Sequence, residues 1–156
     1  MTEAPINPQQ PIVKYAPVPL TPSEERTWAM LAHLSVLLNL VTGVLGALPP
    51  LVIYLVFREK SRYVAYQALQ SFLFQLIFWG APGLILAVMW GLTGALSLVL
   101  VGLLCIPVAC VLTPLILIMP VISLVYGVVA AIQTSQGRDF KYWLVGDWVR
   151  GTLTGE

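Results

Sequence analysis

Apolar residues in this chain fall into two long blocks, and the charged residues are swept to the edges of those blocks. Thr27 to Phe57 contain His33 as their one readily titrating group, and Tyr63 to Gly137 run 75 residues without Asp, Glu, Lys, Arg or His. Blocks of this length and composition predict helices dissolved in lipid. Thr21-Pro22-Ser23-Glu24 predicts the first helix start: the Thr21 hydroxyl accepts from free backbone N–H groups, Pro22 suits the first helical position and Glu24 completes a capping box. That helix enters the bilayer near Trp28 and ends between Asn39 and Gly43, before Gly46, Pro49 and Pro50; a second runs from about Pro50 to Phe57. Thirty-one uncharged residues make about 46 Å of helix, too long for one straight pass through a roughly 30 Å core and short for two. A tight hairpin of two short helices and a single broken, tilted helix both fit, and the Gly/Pro cluster favours the hairpin.

Parity governs the second block. Arg58-Glu59-Lys60-Ser61-Arg62 is the most basic loop, and Arg138, Lys141 and Arg150 mark the C-terminal segment, so the positive-inside rule places both on the cytoplasmic side. The residues between them then cross an even number of times. A third helix is expected from about Ser61 to Trp90, kinked at Gly80-Ala81-Pro82-Gly83, with a turn at Gly91-Leu92-Thr93-Gly94. A fourth ends in the apolar stretch Val121 to Ile132, closed by Gln133 to Gly137. Residues 95–114 exceed what two passes need, and are open to reading as a re-entrant or surface segment, an extension of a neighbouring helix, or a fifth crossing. The expected fold is an all-α polytopic membrane protein with four transmembrane helices, the third and fourth passes kinked by Pro and Gly. A Pro-rich tail (1–21) precedes the transmembrane domain (22–137), and an aromatic, basic, interfacial tail (138–156) follows it.

Composition narrows the partners. At 156 residues, 58% hydrophobic, 10% charged and mean hydropathy +0.87, the chain leaves too little polar sequence for a separate soluble domain. A net charge of +1 gives no long-range attraction for nucleic acid, and no small-molecule substrate is indicated. The lipid bilayer and other membrane protein subunits are the expected partners. Cys105 and Cys110 read as buried small hydrophobes, and no metal or cofactor is expected. No cleavable signal peptide is expected, since the first 26 residues are polar and hold six prolines. Met1 to Leu20 read as an extended tail, either a solvated linker or a strap along a partner.

Several segments resemble a known family. These are Glu24-Glu25-Arg26-x-x-Ala29-Met30-Leu31-Ala32-His33-Leu34-Ser35, then Pro50-Leu51-Val52-Ile53-Tyr54 before a charged loop, then Gln67-Ala68-Leu69-Gln70-Ser71-Phe72-x-Phe74-Gln75. With Ala130-Ala131-Ile132-Gln133, Gly137, Phe140 and Tyr142, the pattern resembles the bacterial DUF4870-type domain grouped with the chloroplast import component Tic-twenty. The resemblance covers about Ser23 to Tyr142. It implies four transmembrane helices with both ends cytoplasmic, and by analogy a translocation-associated role. It carries no catalytic residues across.

Polar groups inside lipid are the remaining candidates. His33 is either a neutral imidazole hydrogen-bonded to a neighbouring helix, with Gln67 or Gln70 as partner, or a functional titrating group. Gln67, Ser71 and Gln75 fall at i, i+4 and i+8, with Gln70 one turn from Gln67, forming a stripe that specifies packing, lines a groove or docks a subunit. Trp143, Trp148 and Arg150 are candidate interfacial docking residues, and Tyr63 and Tyr66 read as interfacial anchors. No hydrolase or phosphate-binding motif is present, so the chain reads as no enzyme. The expected function is that of an accessory, assembly or translocation-associated subunit in the bacterial cytoplasmic (inner) membrane. The alternative is a small channel or carrier lined by His33 and the glutamine stripe.

Overall fold

The computed structural model describes residues 18–154, and every regular element within them is helical. The expected Pro-rich tail lies outside the described residues up to position 17. Helix α1 (Pro22–Leu34) begins at a full capping box: the Thr21 hydroxyl accepts from the Glu24 amide at 3.4 Å, and the Glu24 carboxylate accepts from the Thr21 amide at 2.8 Å. These bonds hold the Glu24 carboxyl below its ordinary pKa. Beyond Leu34 the helix tightens to a 3₁₀ turn (Ser35–Leu38), resumes as α2 (Asn39–Thr42) and stops at Gly43, whose φ of 79° suits a residue without Cβ. A 3₁₀ turn (Leu45–Ala47) then leads into α3 (Leu48–Phe57), with Pro49 and Pro50 in its first turn where their missing N–H groups cost nothing.

α3 returns to the start of α1. The Trp28 and Phe57 rings meet at 4.7 Å, and the Ser61 hydroxyl donates to the Glu25 carboxylate. The first apolar block is therefore a hairpin, not one broken helix.

The second hairpin is longer. Ser61 caps α4 (Arg62–Gln75) by accepting from the Val64 amide at 3.1 Å. A π turn (Leu76–Gly80) follows, then α5 (Ala81–Ser97), giving one continuous 36-residue helix. The widened turn sits where Pro82 cannot donate to the carbonyl four residues back, so the expected kink site is a π-bulge. α6 (Val101–Ser135) runs through Pro107, Pro114 and Pro120. It closes with Arg138 N–H to Gln133 O and Gly137 N–H to Thr134 O, both 3.0 Å, around Gly137 at φ 75°. After an irregular stretch the chain ends in α7 (Gly146–Thr154).

Three sequence expectations change and one left open is settled. The turn joining the long helices falls at Leu98–Leu100, not at Gly91–Gly94, which is helical with both glycines facing open space. Of the readings left open for residues 95–114, the structure has the extension of neighbouring helices, α5 and α6. Cys105 is partly exposed and Cys110 exposed on α6, so neither is the buried hydrophobe expected. Tyr66 is 7% exposed in the core with the Arg150 guanidinium over its ring, so it is not a free interfacial anchor. The four-span expectation is met in part: Arg62–Ser97 and Val101–Ser135 are long and apolar enough to cross a membrane, and Leu45–Phe57 is a shorter apolar helix. Gly43, Gly46 and the prolines divide the first block too early for two spans of that length.

α1 packs on α4 and α6, α3 on α4, α5 on α6, and α7 on α4. Small residues set the α1–α6 spacing: Ala29, Ala32, Ala130 and Ala131 are buried, and a Cβ at Gly127 would sit 2.6 Å from Val36.

Candidate functional site

His33, Ser35, Asn39 and the polar stripe of α4 gather on one seam between α1 and α4. Gln67, Ser71 and Gln75 share a face because positions four apart on a helix are neighbours. Asn39 reaches the same seam through the 3₁₀ turn. Four residues at three per turn leave it roughly 40° from the direction of His33, where an uninterrupted α-helix would leave roughly 120°.

Hydrogen bonding on the seam is complete and directional. The Gln67 carbonyl oxygen must accept, so His33 Nε2 at 2.9 Å carries the proton, and Nδ1 accepts from the Tyr142 hydroxyl at 3.1 Å. This is a neutral imidazole with both nitrogens satisfied. The Gln67 amide nitrogen donates to the Asp139 carboxylate (2.9 Å) and to Phe140 O (3.1 Å). Gln70 donates to Gln67 Oε1 (2.6 Å) and Phe140 O (2.8 Å), and its own carbonyl accepts from the Tyr142 amide (3.2 Å). Farther along, Gln75 donates to Ser35 and Ser71 (both 3.1 Å) and accepts from Asn39 (3.0 Å), while Asn39 accepts from the Gly46 amide (2.7 Å). The Ser35 and Ser71 hydroxyls both donate to Ala32 O.

Geometrically, the seam is a lock for the C-terminal segment. Two glutamine side chains bind the 140–142 backbone much as a neighbouring strand would. Phe140 and Tyr142 insert while Lys141 and Trp143 point out, a two-residue alternation that the extended backbone imposes. Tyr142 stacks on Phe74 at 4.1 Å, and burial pushes its phenol pKa up, so it remains the donor to His33. Val145 and Val149 complete the packing against Tyr66, Phe74 and Phe78.

His33, Gln67, Gln70, Ser71 and Gln75 are thus brought together, each under 2% exposed. Trp143 and Trp148 stand apart, 62% and 64% exposed. Arg150 lies beside them but is held by Asp139 and by the Tyr66 ring. Sequence reasoning missed Asn39, Asp139 and Tyr142 as members of the seam. Asn39, an amide inside an apolar block, and the alternation from Phe140 to Trp143 were the available signals. Among the described residues no group of three or more His, Cys, Asp or Glu is placed to hold a metal ion.

Every described charged side chain lies at one end of the bundle. Glu24 to Arg26, Arg58 to Arg62 and Arg138 to Arg150 are joined there: Tyr63 donates to Arg138 O at 3.1 Å, and the Arg26 guanidinium lies against Gly137. The opposite turns, 43–47 and 98–100, contain no charged residue.

No curated protein and no solved structure matches the chain. One family model does, over residues 24–149, and it overturns the resemblance to the Tic-twenty group, which leaves the translocation role inferred from it without support. The segments that carried that resemblance turn out to be a capping box, a basic turn and a packing stripe, which membrane hairpins of unrelated families also need. With 24–149 covering the hairpins, the seam and most of the tail, the chain belongs to the magnetosome magnetite crystal formation protein family (MamF/MmsF).

Proposed function

We propose that this protein is a non-catalytic, four-pass component of the membrane around a growing magnetite crystal, with its charged end in the cytoplasm and its two apolar turns toward the crystal. The family description supplies the process. The observation that carries the orientation is the segregation of charge, because basic loops are retained on the cytoplasmic side. α1, the 3₁₀ turn and α2 together run 21 residues, about 31 Å from the headgroup layer inward, and α3 makes a shorter return.

This orientation limits the chemistry. Iron is held by carboxylate, imidazole or thiolate ligands, and the crystal-facing turns bear none of them. The protein then acts on crystal formation through the bilayer and through neighbouring subunits, with the seam fixing the fold that presents both hairpins. Deletion in a magnetite-forming host, scored by electron microscopy, is expected to give altered crystal size or number. Restoration by the wild-type chain but not by a Q67L/Q70L variant is the expected complementation. Crystals unchanged by deletion would defeat the proposal.

A further inference from the structure

α1 and α3 both pack on α4 but touch each other little, which leaves a groove of about 730 Å³ open to the side of the bundle. Its walls are apolar, formed by Trp28, Leu31, Leu38, Leu48, Val52 and Ile53 among others. At the charged end the groove closes on Trp28, which contacts the Phe57 ring, and the Lys60 ammonium lies 5.6 Å above that ring. Arg58 and Arg62 are exposed on the same turn, where Glu59 is 3.9 Å from Arg58 and the Glu25 carboxylate accepts from Ser61.

We propose that this groove seats an acyl chain of an anionic phospholipid whose phosphate is held by Lys60 and Arg58. Two features select this occupant. Trp28 to Leu38 is ten residues, about 15 Å of helix, which equals one leaflet of a roughly 30 Å hydrocarbon core. Arg58, Lys60 and Arg62 stand there against Glu59 and the Glu25 carboxylate on Ser61, a net +1, so the turn complements a negative headgroup better than a zwitterionic one. The aromatic pair at the mouth sits where rings favour the headgroup boundary. The inference rests on the proposed membrane orientation only in that the groove faces lipid, and its test does not involve crystals.

The test uses the full chain in mixed micelles containing equal phosphatidylglycerol and phosphatidylcholine, with retained lipids counted by native mass spectrometry. The wild type is expected to retain one phosphatidylglycerol in preference to phosphatidylcholine. K60Q and R58Q, both exposed changes, should each lower that retention about fivefold, the contribution of one juxtamembrane cation. V52W, which fills the groove from an exposed position, should lose the lipid with helicity unchanged, and L48W should repeat the result. Equal retention of both lipids, or full phosphatidylglycerol retention in the groove-filled variants, would overturn the site while leaving the proposed function untouched.

Discussion

Gln67 spends its whole hydrogen-bonding capacity inside the protein, two donors and one doubly accepting oxygen. Interhelical bonds in membranes average about 0.6 kcal/mol each, so Q67L is expected to lower stability by roughly 2 kcal/mol, read from SDS unfolding followed by circular dichroism. Y142F removes one donor and should cost only about 0.6 kcal/mol while the ring stays stacked on Phe74. An equal loss in the two variants would contradict the seam as described. At the other end of α1, Glu24 has a depressed pKa in the folded chain, so its capping contribution is present above the ordinary carboxylate value and is lost as pH falls through the folded one. The Thr21 amide resonance should therefore titrate below the usual carboxylate range, and E24Q should abolish the titration. The glutamine stripe was legible from spacing alone, whereas for His33 the neutral, hydrogen-bonded state was one of two readings left open. Tyr142 was not, because its partner lies 109 positions away and no local period connects them.

Among the elements, glycines separate by what surrounds them. Gly91 and Gly94 look like a turn in the sequence yet lie in helix with nothing near a would-be Cβ, whereas Gly127 is pressed onto Val36 and His33 O of α1. G127L is expected to force α1 from α6 and cost about 1–3 kcal/mol, while G91L should be close to neutral in the same unfolding assay. The true turn was hidden because Leu100, not glycine, takes the left-handed conformation at φ 65°. That conformation costs a residue with a Cβ roughly 1–2 kcal/mol, so L100G is expected to stabilise the hairpin, and a loss of stability would contradict the turn geometry. Helix starts were better written, since Thr21 and Ser61 are capping residues in any context.

At the scale of the molecule, the two hairpins differ in reach. The α4–α5 and α6 helices run about 54 and 52 Å, and even at a 40° tilt they exceed a 30 Å core by roughly 10 Å. Tyr63 and Trp90 are separated by 27 residues, about 40 Å, close to the full bilayer with headgroups, and Trp90 is tied to Thr113 of α6 at 3.0 Å. In the proposed orientation the turn at 98–100 then emerges on the side away from the charges. That the two ends of the second apolar block lie at the same end of the bundle was legible from where the cations stand. The uneven hairpin lengths were not, because no charge or glycine marks the tip. The most direct test of this arrangement is labelling of single cysteines by an impermeant maleimide in sealed vesicles, on a C105S/C110S background. K60C and D147C are expected to react from one side and L98C from the other. Reaction of K60C and D147C from opposite sides, or of L98C from theirs, would contradict it.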